Sequence, residues 1–494
     1  MEVLMWIRVL IVALCTFVIV GSSSPFFPVG EVGTDASLDA FTEHMDTRIP
    51  ELMREYEIPG VSVALVHEGN LVWSNAYGYA DLHKHTPLTK EARLRVQSIS
   101  KSVTAWGVMK LVEQGHIELD APVQSYLKNW SFPESSYATE TLTVRQLLNH
   151  SAGLPLGDIF LRYSPKDEMP SLKERLSAEV FLFQEPGARF SYSNTGFNLL
   201  ELLIEEVTGR TFSSYMEQEI LLPLGMDHSS FQWSEVFDPP VPNGYDLKGR
   251  EIPVYVYPEK ASGGLFATAE DIGLFLTAGM AVNTEESSIL DQKSIEELYS
   301  PNMEHLGLYT MVFDSYGLGH YIERLKDGSI AVSHGGQGTG WMSHFHSIPV
   351  SGDGIVLLAN SQRSWPMISY VLADWSHWIG HSPLGMSRIA TADFILWIVV
   401  GLILFLALLI LWTVADGLLR RRLLIASLSV HLRWQRLIQL VTSLSIIAIL
   451  VWCANQKYLF LTSVFPISSI WLGTSAFLLA AVILLSAFCI NRES

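Results

Sequence analysis

The sequence predicts an α/β (α+β) domain, with an antiparallel sheet drawn from both chain ends around a helical middle, followed by three transmembrane helices. Three observations predict it. Alternating apolar segments bounded by turn residues occur near the start of the domain and again near its end. The stretch between them carries helical periodicity. Beyond Thr391 come three long apolar runs.

At the N-terminus Arg8 precedes the apolar run Val9 to Val20, and Gly21, Ser22, Ser23 and Ser24 follow. Residues 1–24 therefore read as a secretory signal peptide cleaved near Ser22 to Ser24. An uncleaved anchor is the alternative, since no charge falls between Arg8 and Glu31. Either version sends the following globule, 25–390, out of the cytosol. Val61 to Val66, the turn Glu68-Gly69-Asn70 and Leu71 to Tyr77 form an antiparallel hairpin pattern. Ile330 to Ser333, Trp341 to Ile348 and Gly354 to Ala359 read as three further strands, with Gly335, Gly336, Gly338 and Gly340 between the first two and Gly352-Asp353-Gly354 turning into the last. Between these groups one helix begins near Ser98 and stops at Gly115, with Val103, Val108, Leu111 and Val112 apolar. Another runs from Gly196 to Val207 before Gly209.

In the tail, 391–494, apolar runs near 394–415, 437–455 and 467–490 are each long enough to cross a hydrocarbon core of about 30 Å. Arg420, Arg421, Arg422, Arg433 and Arg436 fall between the first and second runs, and only Lys457 between the second and third. By the positive-inside rule the first connection is cytoplasmic. The globule is then extracytoplasmic, the same side the signal peptide requires, on a multi-pass protein of the cell membrane.

Charge and cysteine usage divide at the same place. The 494 residues are 49% hydrophobic and 17% charged, with a formal net charge of −18 and a mean hydropathy of +0.27. Past Thr391 stand seven bases and three acids, against 25 bases and 47 acids before it. An acidic globule is thus joined to a basic, apolar tail, which disfavours a nucleic-acid binder. Cys15, Cys453 and Cys489 all lie in apolar runs. The globule therefore has no disulfide scaffold, Cys-ligated zinc site or thiol nucleophile.

There is no G-x-S-x-G, H-E-x-x-H or P-loop motif. What remains is Ser-Lys chemistry. In Ser98-Ile99-Ser100-Lys101, three-residue spacing at a helix start puts Ser98 and Lys101 on one face. A lysine whose pKa is lowered by desolvation can take the serine proton, and helix-start N–H groups suit an oxyanion. Read otherwise, the segment is a polar helix start. Tyr192-Ser193-Asn194 offers a phenol to relay a proton and an amide to hold a carbonyl, or a turn with an N-cap. His334-Gly335-Gly336-Gln337 lies at a strand end, where glycines let a substrate backbone approach and the next N–H can face an oxyanion, or else forms a β-bulge. His334, His344 and His346 suggest no metal site, because on a strand they lack a carboxylate at helix spacing. No cofactor is expected.

Ser-x-x-Lys, Tyr-x-Asn and His-Gly-Gly in this order resemble the serine β-lactamase and penicillin-binding-protein superfamily, in particular the class C β-lactamase-related serine hydrolases. The resemblance runs over 38–380 and takes in Leu147 to Leu154, Pro223 to Met226, Gly244-Tyr245 and Ser262 to Leu265. It implies a β-lactamase/transpeptidase-like fold, with Ser98 as the acylated nucleophile, Lys101 as proton acceptor and Tyr192 as proton relay. It further implies an oxyanion hole from the N–H groups of Ser98 and Gln337, and substrate contacts from Asn194, His334, Gly335 and Gly336. His334 stands where class C β-lactamases have the lysine of Lys-Thr-Gly, which replaces a permanent cation by a mostly neutral group. Relatives with histidine there include D-aminopeptidases, esterases and amidases. With its tail, the chain is similar in architecture to membrane-bound prodrug-activating D-asparaginyl peptidases. Gly338 stands where their asparagine is expected, and Asn194 where their serine is.

The resulting expectation is a membrane-anchored serine hydrolase that forms an acyl-enzyme on a small peptide or acyl-amide substrate. An esterase, and a non-catalytic β-lactam or cell-wall sensor or inactive penicillin-binding paralogue, are the alternatives. The sequence leaves the oligomeric state open.

Overall fold

In a computed structural model of the chain, residues 2–23, 27–29, 31–280, 289–381, 383–425, 434–456 and 459–491 are described. Ser24 of the expected cleavage segment, and the loop bases Arg433 and Lys457, lie outside them. The chain divides into two compact units, Val29–Arg388 and Met1–Pro28 with Ile389–Ser494.

The larger unit is built on a nine-stranded sheet. Its strands are β1 (Gly60–His67), β2 (Asn70–Asp81), β3 (Thr86–Pro87), β4 (Met303–Glu304), β5 (Ser315–Tyr316), β6 (Tyr321–Arg324), β7 (Ile330–Gly338), β8 (Trp341–Ile348) and β9 (Asp353–Ala359). The spatial order is β3-β2-β1-β9-β8-β7-β6-β5-β4, antiparallel throughout. β1 from the front of the chain pairs with β9 from the back, Val63 opposite Leu357, so the expected sheet from both chain ends is what forms. β1, β8 and β9 are buried almost end to end, as strands covered on both faces should be. Ala64, Val66, Phe345, Val356 and Leu358 belong to the core shared with the helical region, and the alternate residues Val63, Leu65, Ile355 and Leu357 are equally buried.

The helices Leu38–Glu55 and Trp365–Trp378 pack on each other and on the sheet. Between them Phe41 stacks on Trp378 at 4.3 Å, and Arg48 Nε donates to Asp374 Oδ2 at 2.9 Å with both side chains 3% exposed. The helices Ile99–Glu113 and Ala269–Ala278 also pack against the sheet, and Ile99–Glu113 is buried along nearly its whole length.

Two differences from the sequence expectation bear on the site. First, β7 does not stop at Ser333 but runs through His334-Gly335-Gly336 to Gly338. The glycines are strand positions rather than a turn, because a side chain at Gly336 would meet Val96 O at 2.2 Å. Second, the sheet gains the edge β4 to β6, whose members are two to four residues long and too short to show alternation.

In the other unit, the helix Glu2–Ser23 belongs with the C-terminal segment. Among the described residues three helices are long and apolar enough to cross a membrane, Gly385–Leu419, Trp434–Ala454 and Ser468–Ala487. Ser443 Oγ donates to Ala480 O at 2.7 Å and Gln439 Nε2 to Ser486 Oγ at 3.1 Å, tying the last two together. Short strands Leu423–Ile425 and Cys489–Asn491 pair beyond their ends.

Candidate active site

Ser98 is the residue immediately before the helix Ile99–Glu113, at φ −67° and ψ −6°. Gln97, just ahead of it, has φ +52°, a left-handed conformation that costs a non-glycine residue of order 1–3 kcal/mol. The side chain helps hold it there: Gln97 Nε2 donates to Tyr255 Oη at 3.2 Å and Tyr257 Oη donates to Gln97 Oε1 at 3.4 Å. This turn sets Ser98 half-exposed on an otherwise buried helix start.

Lys101, one turn along, is fully buried. Its Nζ lies 3.1 Å from Ser98 Oγ, 2.7 Å from Asn194 Oδ1 and 2.6 Å from Ser262 O, and 5.0 Å from the centre of the Tyr192 ring. No carboxylate is among these partners, and burial drives the lysine pKa well below its ordinary value. A neutral amine has two N–H donors and one lone pair. The two carbonyl-type oxygens take the donors, which leaves the lone pair for the Ser98 hydroxyl proton.

Tyr192 hydrogen-bonds Ser98 through its side chain, and burial, reinforced by neighbouring Tyr309, pushes the phenol pKa far up. The phenol thus stays protonated, bonded to the Ser98 side chain. His150 fixes its loop: Ser193 N donates to His150 Nδ1 at 3.2 Å, Ser191 N to His150 O at 2.7 Å, and the His150 and Tyr192 rings stand 4.3 Å apart. Ser193 caps the helix Asn194–Thr208. Further along that helix, Glu201 accepts from Lys260 N at 2.5 Å and Ala261 N at 2.8 Å. It thereby holds the segment that presents Ser262 O to Lys101. Burial pushes its carboxyl up to about 8.

β7 supplies the other wall. β6 pairs with it only as far as Ser333; beyond that, no strand among the described residues pairs on that side, and the face of β7 at Gly336 and Gly338 lies against Val96 and Gln97. At Gly338 a side chain would occupy the place of the Gln97 amide, 2.4 Å from its Cδ. His334 is placed differently from the sequence expectation of a substrate contact. It is 1% exposed, with Nδ1 2.8 Å from Gly335 O and Nε2 3.2 Å from Tyr316 Oη. A carbonyl only accepts, so Nδ1 carries the proton and Nε2 accepts from Tyr316. Burial keeps the ring neutral by lowering its pKa. Gly335 and Gly336 let the strand pass closely, and Gln337 and Gly338 line a cavity that opens on Ser98.

Ser98, Lys101, Tyr192 and Asn194 are thus brought together, Gln337 reaches the same cavity, and His334 sits behind it. Sequence reasoning passed over His150 and Ser262 as individual residues, although both fall in segments it had singled out. It missed Glu201 and the charged group Arg175, Glu179 and Glu259 on the cavity wall, which no local motif marks. Among the described residues no group of His, Cys, Asp and Glu could hold a metal ion.

A buried lysine bonded to a serine at a helix start, with a phenol on the same serine, is the signature of a serine acyl-transfer fold. The Beta-lactamase family model matches residues 45–369, and the chain belongs to that family, whose members are mostly serine acyl-transferases and hydrolases. Protein flp of Staphylococcus aureus is 29% identical over 223 residues, 44% of this chain and 43% of that protein. The match therefore spans less than half of that curated relative. The octameric penicillin-binding protein homologue from Pyrococcus abyssi superposes with a TM-score of 0.58 at 28% identity, covering 69% of this chain and 77% of that one. SurE, solved with D-Leu, gives 0.58 at 25% identity over 70% and 78%.

Proposed function

We propose that the chain is a membrane-anchored, extracytoplasmic serine hydrolase that acts through an acyl-enzyme on an amide of a peptide containing D-residues. The observation that carries this reading is the environment of Lys101, a buried amine whose remaining valence points at Ser98 Oγ. The likeness to SurE solved with D-Leu and to a penicillin-binding protein homologue supports the D-residue.

In this mechanism Ser98 Oγ attacks the carbonyl carbon as its proton passes to Lys101 Nζ. The oxyanion faces the N–H groups of Ser98 and Gln337. Tyr192 passes its proton to the leaving amine as the C–N bond breaks and recovers one from the neighbouring Lys101 ammonium. A water then attacks the ester, giving one proton to the Tyr192–Lys101 pair and returning Ser98 as the hydroxyl. A neutral His334, in the position of a lysine, offers no cation to a substrate carboxylate, which favours an internal amide over a β-lactam or a C-terminal residue.

The test treats membranes with a fluorescent penicillin and a fluorophosphonate, comparing wild type with Ser98→Ala and Lys101→Ala over time. Ser98-dependent labelling that turns over supports the hydrolase. Absence of label with both probes overturns the nucleophile, and a label that never turns over favours a sensor. An amide and an ester of the same D-acyl group separate peptidase from esterase. Proteolysis of the 25–390 domain from outside spheroplasts tests its side.

A further inference from the structure

The cavity that opens on Ser98 has a second end. The helix Leu172–Glu179 contributes Arg175 and Glu179 to its wall, and the segment before Ser262 contributes Glu259. Arg175 Nε donates to Glu259 Oε1 at 2.8 Å, and another guanidinium nitrogen is bonded to Glu179. One guanidinium therefore serves two carboxylates, with Glu259 only 6% exposed. Among the described residues no other cationic side chain lines the cavity, whereas Asp158 adds a third acid. Burial and the Glu259 charge push the Glu179 carboxyl up against the opposing pull of Arg175. A surplus of negative charge in a partly dry wall costs free energy until a cation offsets it.

An independent observation concerns hydrogen bonding. Asn198, one turn beyond Asn194, lines the same cavity, is 4% exposed, and its Oδ1 has no hydrogen-bond partner. A buried acceptor left unmade costs about 1–3 kcal/mol, so it marks a place for a donor. Gly157 lies between the two ends, where a Cβ would stand 3.7 Å from both Asn194 Cβ and Glu179 Oε2.

We infer that this end of the cavity binds a primary ammonium group of the substrate, taken by Glu179, Glu259 and Asn198 while the scissile carbonyl sits at Ser98. An ammonium supplies what the wall lacks, one positive charge and three donors. The inference rests on Ser98 being the nucleophile, and it names a substrate class that the Ser98 chemistry alone does not. The ammonium can come from a free α-amine or from a cationic side chain of a D-residue.

The test is binding to full-length Ser98→Ala protein in detergent, so that it does not depend on turnover. The ligands are D-leucine amide, with a free α-amine, N-acetyl-D-lysine amide, with a side-chain amine, and neutral N-acetyl-D-norleucine amide. At least one ammonium ligand is expected to bind about tenfold or more tightly than the neutral one, and the stronger of the two identifies the source. Glu259→Gln, which keeps an oxygen for Arg175, and Glu179→Gln are each expected to reduce that advantage about threefold or more. Asn198→Leu, which leaves the ion pairs intact, lowers it as well. Equal affinity for the three ligands overturns the inference, as does an advantage that survives both glutamate replacements in protein of wild-type melting temperature. Loss of fluorophosphonate labelling in the wild type would instead remove Ser98 as nucleophile while leaving this order of affinities in place.

Discussion

Lys101 Nζ stands closer to Asn194 Oδ1, at 2.7 Å, than to Ser98 Oγ, at 3.1 Å. The amide holds the amine by accepting from it and adds no charge that would keep it protonated. Asn194, expected from sequence to contact substrate, is thus also the residue that positions the lysine.

Asn194→Asp replaces that amide by a carboxylate at the same distance. An adjacent opposite charge raises an amine pKa by about 1–3 units, so the pH at which Ser98 acylation is half-maximal should move up by that amount. At neutral pH the rate should fall, by at most about a thousandfold. A pH series of fluorophosphonate labelling measures it, and an unshifted profile would show that Lys101 is not the group titrating.

Gly336→Ala places a methyl 2.2 Å from Val96 O and 2.3 Å from Ser343 Oγ. Overpacking of this kind costs about 1–3 kcal/mol, and the strand must retreat from the segment that carries Ser98. Melting temperature and acylation rate should both drop. Gly263→Ala, whose nearest neighbour is 3.7 Å away, should leave the melting temperature where it is.

These glycines show where the sequence was legible and where it was not. The hairpin at Val61 to Tyr77 and the helix after Ser98 follow from periodicity, which is local, and both stand within a few residues of the expected bounds. The course of β7 through Gly335 and Gly336 depends on Val96 and Gln97, more than 230 residues away in the chain, so no local pattern could distinguish it from a turn. His334 is another such case. Its ring is turned to Tyr316, which lies on a strand of two residues, one in from the sheet edge. The Ser-x-x-Lys pair was readable because its geometry is one helical turn.

Glu201 is protonated over most of the neutral range, its carboxyl pushed up to about 8 by burial. A raised carboxyl contributes stability that is complete below its ordinary value of about 4.5 and is lost as pH rises through about 8. Glu201→Gln imitates the neutral form, so it should match wild type only near pH 4 and keep the stability that wild type loses as the pH rises from about 4.5 to about 8. Glu201→Leu strips the acceptor from two backbone N–H groups and should cost about 2–4 kcal/mol by denaturant unfolding.

Acid stability should be set by buried neutral histidines. Burial lowers His320 to about 4 and His346 to about 3, and drives His150, His334 and His344 well below 6.5. Their contribution is complete above about 6.5 and is lost as pH falls toward the folded-state values, at about 1.4 kcal/mol per pH unit for each. Glu201 and Glu323, the latter raised to about 7, act in the opposite sense between about 4.5 and 6.5. Five histidines outweigh these two carboxyls together with Glu179 and Asp271, which burial also pushes up, so the melting temperature should fall from pH 6.5 to 4.5. His346→Phe should flatten that decline, and an unchanged slope would mean that His346 titrates normally.

The central claim is that Lys101 takes the proton of Ser98, and the rate of fluorophosphonate adduct formation, with the adduct mapped by peptide mass spectrometry, tests it most directly. The account predicts an adduct on Ser98 in the wild type and, in folded Lys101→Ala protein at neutral pH, formation slowed by about 10²–10⁴-fold. An adduct on another residue, or an undiminished rate without the lysine, would contradict it.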